Sequence, residues 1–200
     1  MPKGSVRTTV TDKREAILRA AIKTFAGKGF FNSKVADIAK EAGVADGTVY
    51  LYFKNKDDIL HSVFDRAMEE FIAEGKKELA ALDDPREKLR RIAELHLEKL
   101  GADRDMAIVF QVELRGSTKF MQEFSAAGFS EYLNIIQQII TEGQKKGTFR
   151  KDVKPIVVAK ILYGALDEMV TNWILSKNSY PLEPMAGEVL KVFFEGVLKK

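Results

Sequence analysis

The stretch Val35–Asp58, VADIAKEAGVADGTVYLYFKNKDD, constrains this chain more than any other. Val35, Ile38, Ala39 and Ala42 fall at i, i+3, i+4 and i+7, one face of a helix. Gly43 stops that helix, because glycine takes the left-handed angles of a C-terminal cap without steric cost. Val44 restarts the apolar pattern, and Val49 and Phe53, four apart, put a second short helix back onto the first. Helix, glycine turn, helix is the unit whose second helix enters the DNA major groove.

The outward side of that second helix fits such a role. Gly47, Thr48 and Leu51 point away from the Val49–Phe53 line, with Tyr50 and Tyr52 at its flanks. Glycine permits close backbone approach, hydroxyls bond phosphate oxygens, and a threonine methyl touches thymine. The candidate DNA-binding residues are Lys34, Asp46, Gly47, Thr48, Tyr50, Tyr52 and Lys56, the last expected on phosphate. The string Gly43-Val44-x-x-Gly47-Thr48-Val49-Tyr50-x-Tyr52-Phe53-Lys54-x-Lys56 resembles the recognition motif of the TetR family of bacterial repressors. AAIKTFAGKGF and SKVADIAKEAGV resemble that family's first two helices. Where the family commonly has a capping serine this chain has Ala45, which leaves Asp46 to take over the cap.

Charge is distributed to match. Residues 1–60 carry a net +4 and the remainder a net −1, a basic module on a near-neutral body. With hydrophobic residues at 46% and charged residues at 30%, the chain can bury a core and solvate its surface. No apolar run reaches the ~18 residues of a membrane span. The N-terminus, MPKGSVRTTVTDKRE, lacks the apolar core of a signal peptide, so a cytoplasmic location is expected. Without cysteine there is no disulfide or thiolate site. His61 and His96 lie far apart with no carboxylate cluster at ligand spacing, so neither metal nor cofactor is expected and each is read as a surface or pocket-edge residue.

In chain order, residues 1–11 read as a basic arm, and Thr11 or Asp12 as the cap of a first helix with the stripe Ile17, Leu18, Ala21, Ile22 and Phe25. Phe30 and Phe31 supply bulk where three helices meet, and Ser33 is placed to cap the second. A long helix follows from Lys56, and Asp83-Asp84-Pro85 starts another that Gly101 stops. Residues 105–115 read as a short apolar helix and 117–146 as one long helix. The last two helices cover 153–177 and 184–199, each apolar on more than one face. The expected architecture is all-α: residues 1–55 as arm and three-helix DNA-binding domain, and residues 56–200 as a helical ligand-binding and dimerisation domain.

A helix apolar on two sides needs two partners, and a two-fold mate is one of them. Gly164 and Phe193 are therefore assigned to a homodimer interface. No GxSxG, P-loop or dinucleotide fingerprint is present, and the chain is not read as an enzyme. An all-helical hydrolase or transferase using Glu113, Arg115 and Asp167 stays as the remote alternative. The body's aromatic bulk suits an apolar pocket, and its candidate lining is Leu97, Phe110, Leu114, Phe124, Tyr132, Tyr163, Leu166 and Trp173. The TetR resemblance implies such a pocket in each subunit of a dimer bound to a palindromic operator. DRDMAIVFQVELRGS, YLNIIQQIITEGQKKGTF and GALDEMVTNWILS are similar to body segments of the acyl-CoA-responsive fatty-acid-degradation repressors within TetR. That similarity implies a long-chain acyl-CoA effector, with Arg115 as one partner for the coenzyme phosphates. A multidrug-sensing repressor of the same family is the alternative.

Overall fold

The computed structural model describes residues 10–198 except 117, 127 and 179, and leaves the side chains of 10–12, 119 and 124–126 undescribed. The N-terminal arm and the capping side chains of Thr11 and Asp12 lie outside the described residues. Among the described residues there are ten α-helices: α1 Val10–Lys28, α2 Val35–Ala42, α3 Asp46–Val49, α4 Lys56–Leu79, α5 Pro85–Ala102, α6 Arg104–Ile108, α7 Thr118–Ala126, α8 Gly128–Lys146, α9 Pro155–Leu175 and α10 Met185–Val197. No strand is formed among them; one isolated bridge joins Phe149 to Leu198. No described helix is long and apolar enough to cross a membrane.

The chain divides into two compact units, meeting in sequence at Phe64 and Asp65 rather than at residue 55. The shift has a packing cause. Ile59, Leu60, Val63 and Phe64, the first apolar turns of α4, are buried with Ile17, Phe25, Ile38, Val49 and Phe53 in the first unit. The expected stripe of α1 is buried throughout. Gly43 takes φ +67°, and the amides of Gly43 and Val44 donate to Lys40 and Ala39, closing the end of α2 as the sequence requires.

Three local expectations need correction in this unit. Ser33 does not cap α2; its hydroxyl donates to the Gly29 carbonyl (2.7 Å), while the Asp37 carboxylate accepts from the Lys34 amide (2.9 Å). Phe31 is 68% exposed, and only Phe30 sits in the core. The second helix of the motif is a single turn, Asp46–Val49, continued by turns in which Leu51 and Tyr52 donate to carbonyls three residues back. Ala45 offers no side-chain cap and Asp46 does not replace it, so the short helix rests on buried Val49 and Phe53.

In the second unit α4 continues from Asp65 to Leu79 beside the remaining helices. Asp84 caps α5 by accepting from the Arg86 amide, with Pro85 at the first helical position where its missing N–H costs nothing. Arg91 of α5 reaches Glu78 of α4 and Glu98 of its own helix. The stretch expected as one helix over 105–115 is three pieces: α6, a π-helical turn Val109–Glu113 and a 3₁₀ turn Leu114–Gly116. The wide turn carries Gln111, whose amide bonds α9 rather than solvent. The stretch expected as one long helix up to Lys146 instead holds two, α7 and α8. Further along α8, Gly143 lies against Phe149, whose ring is 1% exposed. A Cβ at 143 would sit 2.1 Å from that ring.

Candidate functional sites

The first unit presents one open face. Asp46, Gly47, Tyr50 and Leu51 are exposed, Tyr50 by 57% and Leu51 by 80%, and a Cβ on Gly47 would meet nothing within 4 Å. Lys34 is exposed at the start of α2, and Thr48 and Tyr52 are half-buried. Five of the seven sequence-derived residues thus lie on the short second helix and the turns after it, and Lys34 lies at the start of α2. Lys56 is the exception. Its ammonium donates to the carbonyls of Phe30 (2.6 Å) and Ser33 (2.8 Å) and lies 4.3 Å from the Phe30 ring centre. It ties the α1–α2 loop to α4 and is committed inwards, because loop carbonyls converging from Phe30 to Ser33 offer a half-buried cation several acceptors at once.

The second unit holds a partly open cavity of about 490 Å³. Met68 and Phe71 of α4, Leu100 of α5 and Met106 of α6 supply apolar wall. Phe110 and Leu114 enter from the irregular segment, Met121 from α7, Phe129 and Tyr132 from α8, and Tyr163 from α9. The rings interlock edge to face: Phe71 with Tyr132 at 5.0 Å and Phe129 with Tyr163 at 4.7 Å between centroids. Four of the expected lining residues, Phe110, Leu114, Tyr132 and Tyr163, therefore reach the cavity.

Three of the others do not. Leu97 and Leu166 are 0% exposed within the close-packed core. Trp173 is turned to the opposite end of α9, where its indole N–H donates to the Tyr180 carbonyl (2.8 Å) and Arg104 covers its ring. The side chain of Phe124 lies outside the described residues. Helical periodicity marks a side chain as inward-facing but does not separate dense core from cavity wall: Phe71 and Phe129 share the spacing of Leu97 and Leu166, yet the first two line the cavity and the others are core. The methionines were the available signal, since Met is the residue suited to irregular apolar gaps.

One end of the cavity is polar. Asp167 accepts from the Gln111 amide (2.9 Å) and the Tyr163 hydroxyl (3.0 Å), and pairs with Arg115. Arg115 also donates to Gln111, whose carbonyl oxygen accepts from Thr171 as well (3.0 Å). Arg115, expected to await coenzyme phosphates, is thus held by this network. Burial, with Asp167 adding to it, pushes the Tyr163 phenol above its ordinary range. His96 is buried beside these groups, its Nδ1 3.0 Å from the Tyr132 hydroxyl. Desolvation lowers its pKa to about 4 against the opposing charge of Asp167, so the ring is neutral at pH 7.

Phe193 does not belong to an outer face: it is 8% exposed and packed in the core against Phe194. Gly164 is exposed, with open space where a Cβ would lie, and shares its face of α9 with Val157 (49% exposed) and Ile161 (58%). On α10 the exposed apolar residue is Val192, at 74%.

Residues 17–63 match the family described as bacterial regulatory proteins of the tetR family, and residues 64–196 match the C-terminal region of YsiA-like proteins. The fatty acid metabolism regulator protein of Bacillus subtilis is 36% identical over 184 residues, spanning 92% of this chain and 95% of that protein. The chain belongs to the TetR family. It is a transcriptional regulator of that type, with a helix-turn-helix unit followed by an all-helical body. The crystal structure of the regulator FadR from Bacillus subtilis in complex with stearoyl-CoA superposes with a TM-score of 0.87 at 36% identity, covering 91% of this chain and 98% of that one. The fatty acid degradation regulator FadR from Bacillus halodurans gives 0.86 at 35% identity, with coverage of 91% and 98%.

Proposed function

We propose that this protein is a cytoplasmic homodimeric repressor that holds a palindromic operator and releases it on binding a long-chain acyl-CoA. The cavity carries the reading: about 490 Å³ of space whose apolar wall is built chiefly of aromatic and methionine side chains, with charged groups at its borders, in a chain similar to a regulator seen with stearoyl-CoA. That volume lies within the ~300–1,000 Å³ range of small-molecule pockets. Each buried methylene is worth about 0.8 kcal/mol, so the chain supplies most of the affinity.

Gly47, Thr48, Tyr50 and Tyr52, with Lys34 and Asp46 beside them, form the DNA-reading face of this proposal. The exposed apolar residues of α9 and α10 support a two-fold interface there, with Gly164 letting backbones approach. A dimer reads half-sites about one helical turn, ~34 Å, apart. The effector acts by binding one spacing of the heads more tightly than the other, and DNA affinity falls by that difference. The helix Lys56–Leu79, whose residues belong to both units, is the covalent route. The test is operator release against acyl-CoA of increasing chain length, with free fatty acid and planar cationic drugs as controls. Release that steepens with chain length is expected. Release by the cationic compounds alone would overturn the effector assignment in favour of a drug sensor.

A further inference from the structure

Of the buried side-chain nitrogens and oxygens among the described residues, one has no hydrogen-bond partner: Nε2 of His96. The residue lines the cavity and is 6% exposed, with Nε2 itself covered by its neighbours, so an acceptor reaches it only as those side chains give way. Its neighbours at the polar end are already satisfied by one another. Gln111, Arg115, Tyr163 and Thr171 close on Asp167 and on Gln111 itself. An orphaned polar atom in such a setting costs roughly what a lost hydrogen bond costs, and the fold retains it.

The state of the ring follows from proton accounting with Tyr132. Were Nδ1 to carry the proton and donate to the phenol oxygen, both the phenol proton and the Nε2 lone pair would be stranded. With the phenol donating to Nδ1, only one group is stranded, an Nε2–H donor. The second arrangement is the cheaper. The ring is held in place by its stacking on Tyr132 at 5.8 Å and its edge contact with Tyr163 at 6.1 Å. What the cavity lacks is therefore one acceptor, supplied from outside, in apolar surroundings and close enough to Asp167 to feel its charge. A neutral carbonyl oxygen meets that description better than a carboxylate, which would add a second negative charge beside Asp167.

We infer that His96, positioned by Tyr132, donates through Nε2–H to the carbonyl oxygen of the effector's acyl group, fixing how deep the acyl chain runs in the cavity. This rests on the acyl-thioester reading above. The head of the carbonyl is then the register point, and the Met- and Phe-lined volume beyond it measures the chain.

The experiment compares two ligands that differ only at that atom: palmitoyl-CoA and its S-alkyl analogue, in which methylene replaces the carbonyl. Affinities for the full-length protein are measured by calorimetry. Wild type is expected to bind the thioester roughly 5- to 150-fold more tightly, the range for satisfying a buried donor. His96→Phe should bind the two equally, and His96→Gln, whose amide nitrogen stands where Nε2 does, should restore part of the preference. As a readout that needs no variant, the ¹⁵N-histidine Nε2–H signal of wild type should shift with the thioester and not with the thioether. Equal binding of both ligands by wild type, a full preference surviving in His96→Phe, or an unmoved Nε2–H signal overturns the assignment while leaving the acyl-CoA reading intact. Binding of neither ligand overturns that reading and this inference together.

Discussion

Buried His96 makes stability depend on pH in a defined window. In the unfolded chain the imidazole titrates at its ordinary 6.5; in the fold, desolvation holds it near 4 despite the opposing charge of Asp167. Between those values the unfolded state binds one proton that the native state refuses. Stability therefore falls as pH drops from 6.5 towards 4 and recovers above 6.5. At about 1.4 kcal/mol per pH unit the window costs about 3 kcal/mol, a sizeable part of the ~5–15 kcal/mol that holds a typical domain. The reference protein replaces both members of the pair, His96→Phe with Tyr132→Phe, because removing the imidazole alone strands the Tyr132 hydroxyl. Urea unfolding followed by circular dichroism at intervals from pH 7 to 4 gives the two stability curves. Surface carboxylates contribute alike to both, so the difference isolates the ring. The wild type should lose about 3 kcal/mol more than the double variant over the window. Parallel curves would refute the reasoning, since they require an imidazole that protonates in place at no cost.

Three further outcomes follow from single contacts. Gly143→Ala should lower stability by about 2 kcal/mol and Tm by roughly 4–8 °C in calorimetry despite alanine's better helix propensity, because its Cβ meets the immobile Phe149 ring at 2.1 Å. Lys56→Met should destabilise the protein by about 1–3 kcal/mol by removing the ammonium's hydrogen bonds to the Phe30 and Ser33 carbonyls. The slope of operator affinity against salt should stay as in wild type; a slope shallower by about one would instead mean that this ammonium sits on phosphate. Gly164→Glu should leave the folded chain intact, since the site is open, yet shift sedimentation from dimer to monomer by placing charge in the proposed interface.

The three-and-four spacing of apolar residues already decided that the described residues form helices and no strand. Gly43 and the Val49–Phe53 pair decided where the helix-turn-helix lies, because those features act over a few residues of chain and depend on little else. The start of α5 at Asp84-Pro85 was legible for the same reason: a cap and a first-turn proline are local chemistry. Lys56 was not legible. Whether a lysine faces phosphate or loop carbonyls depends on the Phe30–Ser33 segment, more than twenty residues earlier, coming within 3 Å of its ammonium. The same holds for the end of the first unit at Phe64, which is set by what the first turns of α4 pack against and not by any break in its pattern.

In the body, periodicity showed which side chains point inwards. It could not show that Leu97 and Leu166 meet other side chains while Phe71 and Phe129 meet empty space, because a wall and a core have the same spacing. Nor does anything local to Gln111, Arg115 and Asp167 announce that they join across 52 to 56 residues of chain. His96 is the sharpest case. The amino-acid sequence by itself offered a histidine on an apolar helix, a surface or pocket-edge residue without metal partners. Only tertiary packing decided that it would be sealed from water, kept neutral, engaged at Nδ1 by Tyr132 and left with a free Nε2, because desolvation and hydrogen-bond satisfaction are properties of what surrounds a side chain in space.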